Sequence, residues 1–144
     1  MRIPAGAKSR AACDSFGTGL PGMLVNLMKL LIADDHMGVR RMIREMLSHV
    51  ASEIHECANG LDALHKYDEI LPDFVIMDLQ MPELDGFEAM RRLIADYPRA
   101  RVIAMSHLRD PEVEMHARKT GACYFVRKEN LFDLARYLGR SVNP

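Results

Sequence analysis

The chain has 144 residues, a formal net charge of −1 at pH 7, and 49% hydrophobic and 27% charged residues. This length suits one domain with a substantial core, and the composition is typical of globular proteins. Without a basic excess, the charge argues against direct nucleic-acid binding, and no apolar run approaches the ~20 residues that span a membrane. Three widely spaced cysteines without a C-x-x-C pair indicate a reduced, cytoplasmic protein.

The first segment differs from the rest in composition. Residues 1–25 are rich in Ala, Gly, Ser and Pro. They include basic residues but lack the apolar stretch that a secretory signal requires. We predict that residues 1–25 are a flexible leader, or upstream sequence from a misassigned start. One domain is expected over residues 26–140, with a short tail at 141–144.

Apolar runs and helical patterns alternate along the remaining chain. Short apolar runs bounded by turn residues predict buried strands, and apolar residues repeating every three or four positions predict amphipathic helices. The predicted strands cover residues 27–33, 53–58, 74–78, 101–106 and 123–126, and the predicted helices begin near residues 36, 61, 87, 111 and 131. Five such units predict an α/β fold, with a parallel sheet covered by helices on both faces.

The first predicted helix has the clearest apolar stripe. Its repeat predicts a core-facing side made of Val39, Met42, Ile43, Met46, Leu47 and Val50. We expect Arg40, Arg41 and Arg44 to form the opposite, solvated side.

Turn and cap signals mark two further helices. Asn59-Gly60 predicts a turn before the second helix. Asp110 and Pro111 predict the N-cap and first position of the fourth helix, which should end at Gly121.

Polar residues stand at the ends of the apolar strands. They are Asp34 and Asp35 after the first strand, Asp78 in the third, Ser106 in the fourth and Lys128 after the fifth. The carboxyl ends of parallel strands share one edge of the sheet, so these residues can meet there. Three clustered carboxylates repel one another, which Mg²⁺ with its preference for oxygen ligands would relieve.

The same set of residues fits phosphoryl transfer onto a carboxylate. Aspartate can act as a nucleophile and form an aspartyl phosphate. Lys128 supplies a compact positive charge for a phosphoryl oxygen, and the Ser106 hydroxyl can donate a hydrogen bond to another. Asp78 is the predicted nucleophile, because it alone ends the central strand, and Asp34 and Asp35 form the predicted metal-side pair.

These residues stand in a pattern that resembles the receiver domain of two-component response regulators. The resemblance rests on I-A-D-D at 32–35, V-I-M-D-L-Q-M-P-E-L-D-G at 75–86, M-S at 105–106, and Lys128, and it covers about residues 28–138. It implies a flavodoxin-like, doubly wound sheet with strand order 2-1-3-4-5. This order is the known one for the chemotaxis receiver, so it comes from the resemblance and not from the residues alone.

The resemblance also implies roles at the acidic site. Asp78 would accept a phosphoryl group from a phosphohistidine on a sensor histidine kinase or a histidine phosphotransfer protein. Asp35 would bind Mg²⁺ directly with Asp78, Asp34 would assist, and the backbone carbonyl of Gln80 would complete the protein ligands.

A second set of implied roles concerns switching. Ser106 and Lys128 would bind the phosphoryl group. Phe125, an aromatic residue of the last strand, would turn inward behind Ser106. The sequence departs from the family at three points: Phe125 lacks the common hydroxyl, His107 follows Ser106 where a small residue is usual, and Glu129 replaces a common proline.

The predicted function is a stand-alone receiver that switches a protein-binding surface and is not a turnover enzyme. It would act on a downstream protein partner, without contacting nucleic acid or membrane, and a phosphorylation-dependent homodimer is possible. The alternative is a receiver-like interaction module that works without phosphorylation. A haloacid-dehalogenase-type phosphohydrolase is disfavoured, because it needs a second acid at the position of Gln80.

Overall fold

A computed structural model describes residues 27–142, which form five strands and five helices joined in alternation. The predicted leader at 1–25 and the last two residues of the predicted tail lie outside the described residues. Residues 141 and 142 belong to the final helix rather than to a tail.

The sheet is parallel and has the order β2-β1-β3-β4-β5, which confirms the predicted doubly wound topology. The strands are β1 (Lys29–Ala33), β2 (Glu53–Cys57), β3 (Phe74–Asp78), β4 (Val102–Ser106) and β5 (Tyr124–Arg127). The helices are α1 (Met37–Leu47), α2 (Gly60–Ile70), α3 (Gly86–Asp96), α4 (Pro111–Thr120) and α5 (Phe132–Val142), and a short 3-10 turn covers Lys128–Asn130.

Two apolar clusters cover the two faces of the sheet. One contains core residues of α2, α3 and α4, and the other contains core residues of α1 and α5. Every residue of β3 and β4 is buried, as expected for strands covered on both sides. Alternation along β5 sends Phe125 into the first cluster and Tyr124 toward the second.

Polar caps mark the starts of α2 and α4. Asp110 accepts a hydrogen bond from the Glu112 N–H and Pro111 follows it, which confirms the predicted start of α4. Asn59 also acts as an N-cap, accepting from the Asp62 N–H, so Asn59-Gly60 is the start of α2 rather than a separate turn.

Two predictions for α1 are wrong. Met42 is 54% exposed, although the apolar repeat placed it in the core, and the Arg40 side chain is only 16% exposed, although it was assigned to the solvated side. Ile43 and Leu47 are fully buried and define the inner face. At about 100° per residue, Arg40 lies about 40° from their mean direction and Met42 about 120°.

Gly86 allows the loop after β3 to pass close to the strand. A Cβ at residue 86 would lie 2.1 Å from the backbone oxygen of Asp78 and 2.6 Å from the Cα of Leu79. These obstacles are backbone atoms, so only glycine fits without moving the end of the strand.

We expect Gly86→Ala to lower the free energy of unfolding by about 3 kcal/mol, because the methyl group overpacks the strand–helix junction. Gly38→Ala is the matched control, since nothing lies within 4 Å of a Cβ there and alanine should stabilise α1 by about 0.5–1 kcal/mol. Urea unfolding measures both variants. Equal midpoints for the two would contradict the steric explanation.

Candidate functional site

The predicted acids and lysine meet at the carboxyl edge of the sheet. The Lys128 Nζ donates to Asp78 Oδ2 at 3.0 Å and lies 2.9 Å from Asp34 Oδ2. Asp34 and Asp78 are 0% and 1% exposed, and the Lys128 side chain is 13% exposed. Three groups that are far apart in the sequence thus form one largely buried ionic cluster.

Burial and charge shift the acid–base behaviour of this cluster. Burial raises the pKa of Asp78 and the nearby Asp34 charge adds to the rise, while hydrogen bonds from the Gln80 N–H and Lys128 offset only part of it. Burial disfavours the charged form of Lys128, but the two carboxylates outweigh this effect and raise its pKa above the ordinary value. The ammonium is therefore held charged between two acids.

Backbone groups orient the two buried carboxylates. Asp78 Oδ1 accepts the Gln80 N–H at 3.0 Å, and Asp34 Oδ1 accepts the His36 N–H at 2.8 Å. Each acid thus has one oxygen toward Lys128 and the other on a loop amide. The loops after β1 and β3 therefore set the direction in which these oxygens point.

The two acids of the ionic cluster also lie in a group of side chains with the right atoms to ligate a cation. One ligand atom from each of Asp34, Asp35, His36 and Asp78 lies within 4.8 Å of the others. The His36 Nδ1 is 3.2 Å from Asp35 Oδ1 and 3.4 Å from Asp34 Oδ1. Three carboxylates at this spacing, with Asp35 reaching the surface, fit a hard divalent cation that keeps some of its water.

Ser106 ends β4 next to the acidic cluster. The β3–β4 register pairs Asp78 with Met105, so Ser106 lies one residue further along the same edge. Its side chain is fully buried, and its Oγ accepts the Leu108 N–H at 3.0 Å. The hydroxyl proton remains available for donation to an oxygen at the site.

Phe125 lies in the apolar core on one face of the sheet. It pairs with Ala104 in the sheet register and is 7% exposed within the cluster that contains Ala117 of α4. The structure therefore places its ring inward, among apolar side chains.

The loop after Lys128 holds one of the departures from the family pattern. The 3-10 turn begins at Lys128, and the bond to Glu129 is trans. The Glu129 carboxylate accepts a hydrogen bond from Arg109 at 2.8 Å, which ties this loop to the segment after β4. His107 is exposed at the edge.

Sequence reasoning missed two residues that contact the acids. His36 lies against Asp34 and Asp35, and Arg40 donates to the backbone oxygen of Asp34 at 2.7 Å. The sequence did carry a signal for His36, because it directly follows Asp34 and Asp35 and adds a third possible ligand to that run. Nothing local distinguished Arg40 from the other arginines of α1.

The family of response regulator receiver domains matches residues 30–136. The chain belongs to the response regulator receiver family. The receiver is 42% identical over 103 residues to the chemotaxis protein CheY of Listeria monocytogenes, a match that covers 71% of this chain and 87% of that protein. It is 38% identical over 106 residues to the regulatory protein AtoC of Escherichia coli, covering 74% of this chain but 23% of AtoC.

Solved structures share the fold of this receiver. CheY4 of Vibrio cholerae superposes with a TM-score of 0.72 at 26% identity, covering 79% of this chain and 98% of that one. The complex of CheX, CheY, BeF3 and Mg from Borrelia burgdorferi contains a chain that superposes with a TM-score of 0.73 at 25% identity. The match covers 80% of this chain and 88% of that one.

Membership in this family gives the receiver a general role. Response regulator receivers are signalling proteins of two-component systems rather than turnover enzymes, and they interact with histidine kinases and with downstream targets. Within residues 27–142, no helix has the length and apolar character to cross a membrane.

Proposed function

We propose that this receiver is a phosphorylation-dependent binding switch with Asp78 as the phosphoacceptor. The observation that supports this role is the Lys128 ammonium, 3.0 Å from Asp78 Oδ2 inside a buried acidic cluster. Asp78 is an acid at a strand end, beside the Lys128 ammonium and beside carboxylates that can bind a metal cation. This setting suits attack of the Asp78 carboxylate on a dianionic phosphoryl group.

The transfer forms one bond and breaks one. An Asp78 carboxylate oxygen bonds to phosphorus while the bond between phosphorus and the histidine nitrogen of a sensor kinase or phosphotransfer protein breaks. The imidazole keeps the electron pair of the broken bond. Lys128 then donates to a phosphoryl oxygen, and the Ser106 hydroxyl donates to another.

Asp35, Asp78 and the backbone carbonyl of Gln80 would hold Mg²⁺, with Asp34 assisting. When bound, Mg²⁺ neutralises charge on the phosphoryl oxygens. The spacing of the Asp34, Asp35 and Asp78 carboxylates supports their part in this assignment, as does the Mg named with BeF3 in the complex of the Borrelia CheY. The role of the protein is to orient the carboxylates through the Gln80 and His36 amides.

Phosphorylation would change the surface formed by α4, β5 and α5. Ser106 would leave the Leu108 N–H for the phosphoryl group, and Phe125 would pack behind it. Because Phe125 is only 7% exposed in the structure, its ring already lies inside the fold and does not need to rotate in from solvent. The changed surface would recruit a cytoplasmic protein partner, or a second copy of the chain, rather than nucleic acid.

Acetyl phosphate or beryllofluoride with Mg²⁺ tests the proposal against its rivals. With acetyl phosphate, a switch gains one phosphoryl group per chain at Asp78, seen by intact mass, and with either reagent it shows shifted amide resonances around α4 and α5. A phosphorylation-independent module shows neither change. A phosphohydrolase turns over the donor, but Gln80 occupies the place of its second acid.

Leu108 should lengthen the life of the phosphorylated state. It is 38% exposed beside Ser106 and has no group that can orient a water by hydrogen bonding. We expect Leu108→Glu to speed loss of the phosphoryl group about tenfold, less than the roughly 10²–10⁴-fold that a fully positioned general base contributes. A time course of intact mass after removal of acetyl phosphate measures it, with Leu108→Gln as the uncharged control. An unchanged half-life in Leu108→Glu would refute this role.

A further inference from the structure

Arg40 joins α1 to the ends of two strands. Its Nη1 donates to the Asp34 backbone oxygen at 2.7 Å, and its Nε donates to Glu56 Oε1 of β2 at 3.1 Å. Its side chain is 16% exposed. A largely buried arginine side chain that donates to two partners has few accessible conformations. The direction of each of its hydrogen bonds is therefore fixed.

The acceptor is the peptide group that joins the two acids of the metal-side pair. The Asp34 carbonyl belongs to the bond leading to Asp35, and the Asp34 N–H donates to the Cys57 oxygen at 3.1 Å. Because a peptide group is planar, the hydrogen bond from Arg40 fixes the plane from which Asp35 leaves. That plane fixes the position of the Asp35 Cα, from which the carboxylate extends beside Asp34, His36 and Asp78.

Glu56 anchors the arginine on its other side. It accepts from Arg40 Nε through Oε1 and from Arg44 Nε through Oε2, the latter at 2.5 Å. Burial raises the pKa of Glu56, but the hydrogen bonds and charges of Arg44 and Arg40 outweigh it and lower the pKa overall. Arg44 also donates to the Ile54 oxygen, and the structure gives it no hydrogen bond or ion pair with Asp34.

We propose that Arg40 is a positioning residue that sets the cation affinity of the site by holding the Asp34–Asp35 peptide group. The inference rests on the proposed cation site. It is specific to Arg40, because Arg44 shares the same glutamate without reaching the acids.

The test compares Arg40→Ala with Arg44→Ala in the full chain, using Mn²⁺ as the probe. Titration followed by electron paramagnetic resonance of free Mn²⁺ gives the affinity without relying on phosphorylation. We expect Arg40→Ala to weaken Mn²⁺ binding about tenfold, as loss of a support behind a metal ligand does, and Arg44→Ala to stay within about twofold. Arg40→Lys should recover only part of the loss, because lysine lacks the fork that reaches two partners.

A second measurement separates positioning from general loss of structure. With acetyl phosphate, Arg40→Ala should need about tenfold more Mg²⁺ for half-maximal phosphorylation but reach the wild-type rate at saturation. Equal Mn²⁺ affinities in Arg40→Ala and Arg44→Ala, or full recovery by Arg40→Lys, would overturn the inference. Failure of the wild-type chain to bind Mn²⁺ would instead refute the proposed cation site. If Arg40→Ala does not fold, Arg40→Lys against Arg44→Lys gives the same comparison.

Discussion

Asp78→Asn is expected to take phosphorylation by acetyl phosphate and Mg²⁺ from one phosphoryl group per chain to none. Asparagine keeps the size of the side chain and an oxygen for the Gln80 N–H, but it lacks the nucleophilic carboxylate. Lys128 retains Asp34 as a partner 2.9 Å away, so the cluster is not left with an unpaired ammonium. Without Mg²⁺ the variant should be at least as stable as the wild type, because a carboxylate whose pKa is raised by burial has become neutral.

Intact mass spectrometry gives the phosphoryl count, and urea unfolding gives the stability. Asp85→Asn is the matched control, since Asp85 lies in the loop that follows Asp78 and caps α3 by accepting from the Glu88 N–H, a role that asparagine also fills. The control should be phosphorylated like the wild type. Full phosphorylation of Asp78→Asn would mean that another group is the acceptor.

Lys128→Met is expected to lower the free energy of unfolding by about 3–5 kcal/mol without Mg²⁺, because it leaves two buried carboxylates with no cation. Asp34 and Asp78 are 0% and 1% exposed, so water cannot replace the ammonium without opening the site. Methionine keeps the apolar stem and removes only the charge. Phosphorylation should fall by at least about 100-fold, because a preorganised charge on the phosphoryl oxygens is lost.

The two effects of this substitution should separate when Mg²⁺ is added. The cation can offset carboxylate repulsion, so stability should partly return, but it cannot take the place of Lys128 on the phosphoryl group, so phosphorylation should stay low. Lys119→Ala, on the exposed surface of α4, controls for loss of a positive charge and should shift stability by less than about 0.5 kcal/mol. If Lys128→Met unfolds at the wild-type urea concentration, the ionic cluster does not stabilise the fold.

The order of strands and helices was readable because its signals are local. Apolar runs such as residues 74–78 and the Asp110-Pro111 start of α4 depend on neighbouring residues alone, and the structure agrees with both. The same reasoning failed for α1, where Met42 and Arg40 lie on the opposite sides from those expected. An apolar repeat leaves several orientations open, and the surrounding elements choose among them.

The sequence by itself determined which polar residues end the strands, and parallel strands bring those ends to one edge of the sheet. Only the tertiary structure decided which groups pair there. Lys128 reaches Asp78 across 50 positions of the chain, and Arg40 turns inward to the Asp34 carbonyl. Such contacts depend on strand order, helix rotation and loop course together, and no local pattern encodes them.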